Sequence, residues 1–136
     1  MNTAFFAKAV SFSDDGDATV LAFADDPIEP ANYIILDLAN EPDEQDLRLG
    51  LDGVHIDAGP LRVDGYDLVR DIRETDAGIV ISLTPDAARE AGIGQDIGIG
   101  LESKIVDGIP IGEAVRRFKD RLSSSEEPRS KVRGSD

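Results

Sequence analysis

Cysteine is absent from the 136 residues, so disulfides, thiolate nucleophiles and cysteine-ligated zinc or iron are excluded. Histidine occurs once, at His55, which confines any imidazole chemistry to a single residue. Long apolar runs are missing as well. Tyr33 to Leu36 is typical of the longest, whereas a bilayer core of about 30 Å needs roughly 20 such residues. The opening stretch MNTAFFAKAVSF places Lys8 after both phenylalanines and has neither a basic segment ahead of an apolar one nor a small-residue cleavage pattern. A cytoplasmic protein is expected.

Positive charge is scarce: 14 Lys and Arg stand against 28 Asp and Glu, for a net charge of -14. The deficit is uneven, with residues 1–64 at net -11, residues 65–122 at net -3 and the remainder at net 0. Such a field disfavours phosphate backbones and anionic membranes, because affinity for nucleic acid rests on Lys and Arg neutralising phosphates. A basic protein is the better partner, since complementary potentials speed encounter and penalise wrong partners. The length suits one domain with one core, expected over 1–122. The tail 123–136, SSSEEPRSKVRGSD, has Val132 as its one large apolar residue and is expected to be disordered.

Apolar periodicity predicts an α+β fold, mainly an antiparallel sheet of about seven or eight strands. Ala4 to Phe12 reads as one strand, Ser13 to Asp17 as a turn, and Ala18 to Ala24 as the strand that pairs back. The prolines of Asp25-Asp26-Pro27 and Glu29-Pro30 end that strand, and Asn32 to Leu38 is the most hydrophobic and most central candidate. Leu47, Leu49 and Leu51 alternate like a half-buried strand, and Asp52-Gly53 reads as a hairpin reversal. Beyond it, Val54, Ile56 and Ala58 face one way, His55 and Asp57 the other. Gly65 to Glu74 reads as a strand, Thr75 to Gly78 as a turn, and Ile79 to Leu83 and Gln95 to Leu101 as further strands. A short helix near 85–91 has Thr84 as N-cap, Pro85 at its first position and Gly92 at its end. An amphipathic helix over 110–122 aligns Ile111, Ala114, Val115, Phe118 and Leu122 opposite Arg116, Arg117, Lys119 and Arg121.

Few residues suggest chemistry. A strand puts His55 and Asp57 on one face about 7 Å apart, as a base and its orienter or as two metal ligands would be. With no second histidine and no nucleophile motif nearby, a structural His55 is the stronger reading; an enzyme or metal-dependent domain using His55 with Asp57 or Asp52 is the alternative. Ser13 to Asp17 lacks the ligand spacing and distal Glu of an EF-hand loop. Gly92-Ile-Gly94 and Gly98-Ile-Gly100 lack the phosphate-loop pattern. No catalytic, cofactor or metal residue is therefore assigned. The acidic stretch Asn40 to Asp46 reads as a loop presenting negative charge from a rigid sheet.

Phe23-Ala24-Asp25-Asp26, Tyr33-Ile34-Ile35-Leu36 and Asp43-Glu44-Gln45-Asp46 leading into Leu49-Gly50-Leu51-Asp52-Gly53-Val54-His55-Ile56 resemble the immunity protein 10 family of bacterial polymorphic-toxin systems. The resemblance covers roughly Ala4 to Leu101 and is most specific over Gln45 to Ile56. It implies a non-enzymatic inhibitor that binds a cognate toxin domain in the cytoplasm. The charge pattern then suggests a basic toxin surface met by Asp43, Glu44, Asp46, Asp52 and Asp57. A third reading makes the C-terminal helix a self-association element, as in a homodimer.

Overall fold

The computed structural model describes residues 3–15, 18–39 and 53–121. Its strands form two main sheets. A five-stranded antiparallel meander runs β2 (Ala9–Asp14), β3 (Ala18–Ala24), β4 (Tyr33–Ala39), β5 (His55–Ala58) and β6 (Val63–Tyr66), with each strand beside its sequence neighbour. A four-stranded sheet is ordered β1 (Thr3–Ala7), β9 (Asp96–Leu101), β8 (Gly78–Leu83) and β7 (Val69–Glu74), and β1 runs parallel to β9. The short strands β10 (Ile105–Val106) and β11 (Ile109–Pro110) pair with each other. Helix α1 (Pro85–Ala91) follows β8, and helix α2 covers 111–121. The α+β class and the predominance of antiparallel strands agree with the sequence pattern.

Period-two alternation does the sorting. In β3, β4 and β5 every second residue is buried: Thr19, Leu21 and Phe23; Ile34, Leu36 and Leu38; Ile56 and Ala58. Their pairing is in register, with Leu21 opposite Leu36 and Leu36 opposite Ile56. The other sheet adds Ile72, Ile79, Ile81, Leu83, Ile97 and Ile99, and the buried rows of both sheets join one hydrophobic cluster. Two expected strands each prove to be a pair. Ala4 to Phe12 divides at Lys8, where the chain leaves the four-stranded sheet for the five-stranded one. Gly65 to Glu74 divides at Asp67 and Leu68, with Asp67 in the left-handed region at φ 60°. The expected strand over Leu47 to Leu51 lies outside the described residues, as does the tail from Ser123. Gly53 has a packing reason beyond any turn, because a Cβ there would collide with the Asp67 carboxylate.

The expected reversal at Asp52-Gly53 begins outside the described residues; among the described residues an Asp-Gly hairpin stands at Asp107-Gly108, which joins β10 to β11 with φ of 49° and 87°. The Asp107 carboxylate accepts a hydrogen bond from the Phe12 amide at 2.9 Å, so this hairpin serves the edge strand β2. Helix α1 follows its sequence signals: the Thr84 hydroxyl accepts from the Ala87 amide, Pro85 opens the helix, and Gly92 closes it at φ 74°. Beyond β3, the Asp25 and Asp26 carboxylates accept the amides of Ala31, Asn32, Ile28 and Glu29 and so shape the proline loop.

Helix α2 buries Ile111, Ala114, Val115 and Phe118 in the chain's own core, so its apolar face is occupied within the fold. Its cations tie the two sheets: Lys119 pairs with Asp71 on β7 at 3.0 Å, and Arg121 with Asp14 on β2 at 3.0 Å. Phe118 is 0% exposed. Phe118→Ala should cost about 3–5 kcal/mol in chemical denaturation and leave the mass by light scattering unchanged. The hydrogen bond from Lys119 holds the Asp71 carboxyl below its ordinary value of 3.8, against partial desolvation. A depressed carboxyl stabilises the fold above its unfolded value and loses that contribution as pH falls through the folded one. The stability gap between wild type and Asp71→Asn should therefore be full near neutrality and shrink as pH falls below 3.8.

Candidate functional site

The core takes one parity of β3, β4 and β5, and this forces the other parity outward. On β4 the outward residues are Tyr33, Ile35, Asp37 and Ala39; on β5 they are His55 and Asp57. Pairing with β6 adds Asp64 opposite Asp57 and Tyr66 opposite His55. The outward positions of β2 and β3 carry Ala and Ser with Val20, and no Lys or Arg occupies an outward strand position of this sheet. The face is thus a sheet of small and aliphatic side chains whose β4–β5–β6 end carries three carboxylates, one imidazole and two phenols.

His55 sits at the centre of that end. Its Nδ1 lies 3.2 Å from Asp37 Oδ2 and its Nε2 3.0 Å from Asp64 Oδ1. The Tyr66 ring packs on it with centroids 4.8 Å apart at a 54° tilt. A neutral imidazole donates from one nitrogen, whereas the doubly protonated ring donates from both. Doubly protonated, the ring donates to both carboxylates and straps β4 to β6 across β5; neutral, it donates to one of them only. Those carboxylates sit on opposite ring nitrogens and cannot converge on one ion. Among the described residues no group of three or more His, Asp or Glu side chains is arranged to hold a metal.

Asp57 differs from its neighbours. It has no hydrogen bond or ion pair among the described residues, and it faces Asp64 directly across the β5–β6 ladder. The Tyr33 hydroxyl lies over Gly59, and the Asp57 carboxylate borders the same spot. Like charges directly opposite in a ladder disfavour one another, and the His55 contact lies on the Asp64 side alone.

Of the five acids singled out in the sequence, Asp57 takes its place on this face, while Asp43, Glu44, Asp46 and Asp52 lie outside the described residues. The segment bearing those four leaves from Ala39 and returns at Gly53, next in sequence to the strands that hold Asp37 and His55. Asp37, Asp64 and Tyr66 were not legible as site residues, because only strand pairing brings them to His55; the expected partner Asp57 is a neighbour on the face and not a ligand of the ring. In the Ser13 to Asp17 turn, the Asp15 carboxylate accepts the Ala18 amide and Asp14 pairs with Arg121, which makes both structural. The glycines at 98 and 100 serve the other sheet, where the Phe6 ring lies over Gly100.

The family model for immunity protein 10 matches residues 6–107, well over half of the 136. The chain belongs to the immunity protein 10 family. The match spans both sheets and the whole β4–β5–β6 end, and it stops before α2. No curated protein and no solved structure matches the chain. Membership makes this an immunity protein, and no described helix is long and apolar enough to cross a membrane.

Replacing Asp57 with Asn should relieve the cross-strand repulsion without removing a bond. Stability should rise by a few tenths of a kcal/mol at low salt, and the gain should fade as salt screens the pair. Urea denaturation of Asp57→Asn at two ionic strengths checks this, and a loss of stability at low salt would contradict the geometry.

Proposed function

We propose that this immunity protein neutralises a cognate toxin domain in the bacterial cytoplasm by binding it, without catalysis, through an acidic surface. One observation carries the reading: the outward face of the five-stranded sheet bears Asp37, Asp57 and Asp64 with no Lys or Arg at its outward strand positions, in the half of the chain whose net charge is -11. A toxin that acts on nucleic acid needs a basic cleft. An anionic sheet face is attracted to such a cleft over a distance of about 10 Å at ordinary ionic strength and can cover it. Loss of access to substrate is then sufficient for protection.

The reading is tested by titrating the wild-type chain with the product of the neighbouring toxin gene and by co-expressing the two. Sub-micromolar binding, slower association as ionic strength rises from about 0.05 M to about 0.5 M, and rescue of growth are expected. Binding no tighter than micromolar together with failed rescue would rule the function out.

A further inference from the structure

We infer that the toxin seats on the β4–β5–β6 end of the five-stranded sheet, with Tyr33, Ile35 and Tyr66 as uncharged anchors and Asp37, Asp57 and Asp64 receiving its lysine and arginine side chains. This inference rests on the toxin-binding reading and adds its location. Charge brings partners together, but desolvated aromatic and aliphatic groups supply most of the affinity. The face supplies both within three adjacent strands. Tyrosine suits such a position because it offers a large contact area with few rotatable bonds.

The anchors and acids are also pre-arranged. Asp37 and Asp64 each lie within hydrogen-bond distance of a His55 nitrogen, and Tyr66 packs on the same ring, so part of the side-chain freedom is already lost before binding. The facing Asp57 and Asp64 carboxylates repel one another in the free chain. A cation placed between them converts that repulsion into two attractions, so the face discriminates in favour of a basic partner.

Two other surfaces among the described residues lack this combination. On the outward side of the four-stranded sheet, Arg73 bonds Ser82 and pairs with Asp96, and the exposed Phe6 lies over Gly100. The groove of about 410 Å³ between β7 and α2 is lined by both signs, with Arg116 and Lys119 already paired to acids of this chain. Neither surface presents uncompensated charge next to aromatic side chains.

Calorimetric titration of the inactivated toxin domain with wild type, Tyr66→Ala, Asp57→Asn and Phe6→Ala tests the assignment, with thermal melts on each chain. Tyr66→Ala should weaken binding by about tenfold or more and Asp57→Asn by about threefold to tenfold, while Phe6→Ala stays within about twofold of wild type. A melt that leaves Asp57→Asn at least as stable as wild type excludes unfolding as the cause of a loss of affinity. If wild type binds and both face variants bind within about twofold of it, the location is wrong while the toxin-binding function stands. If Phe6→Ala alone weakens binding, the interface lies on the opposite sheet and the inference is overturned. A wild-type dimer dispersed by Tyr66→Ala would make a second copy the occupant and overturn it too. Wild type that does not bind removes the function and this inference together.

Discussion

The commitment of one side-chain parity to the core governs the rest of the molecule. Leu36, Leu38, Ile56 and Ala58 are buried to within 1% of full enclosure, and a strand cannot bury both of its faces and remain at the surface. A slip of β5 by one residue would drive His55 and Asp57 into an apolar interior and bring Ile56 out to water. An unpaired carboxylate there costs several kcal/mol, so the register is held from both sides. The acidic face is therefore a consequence of the core and inherits its rigidity.

That rigidity bears on the proposed toxin binding. A loop that orders on binding loses conformational freedom at that moment, whereas side chains on a paired sheet have lost most of it during folding. The His55 strap extends the effect to β6, an edge strand of four residues that would otherwise be the least constrained part of the face. His55 positions Asp37, Asp64 and Tyr66 on this face.

The strands β3 and β4, the parity of β5, the capping of α1 and the buried stripe of α2 were all legible in the sequence, because each depends on residues within one or two turns or pleats of one another. The division of Ala4 to Phe12 was not. Both halves have strand composition, and the reason for the break is that Phe5 and Ala7 pair with β9, far along the chain, while Val10 and Phe12 pair with β3. Gly65 to Glu74 misled in the same way. Gly53 adds a constraint of the same long-range kind, a close contact with the Asp67 carboxylate, which no local pattern contains. The acids nearest His55 were hidden for the same cause, being 18 and 9 residues away in sequence and adjacent only through the ladder.

The arrangement of the cations completes the electrostatic picture. Arg73, Arg89, Arg116, Arg117, Lys119 and Arg121 each pair with an acid, and those acids lie on β2, β7, β9 and the two helices. Individually such exposed pairs contribute about 0–1 kcal/mol, so stability alone is a weak reason for having six of them. Their larger effect is on the field. They neutralise carboxylates on α1, α2, β2, β7 and β9, whereas on the outward side of the five-stranded sheet His55 is the one titratable base at a strand position among the described residues. A uniformly acidic protein would attract a basic partner in any orientation, and most encounters would be unproductive. Under the proposed binding, an acidic face with no Lys or Arg at its outward strand positions favours the orientations that bring it to a basic partner.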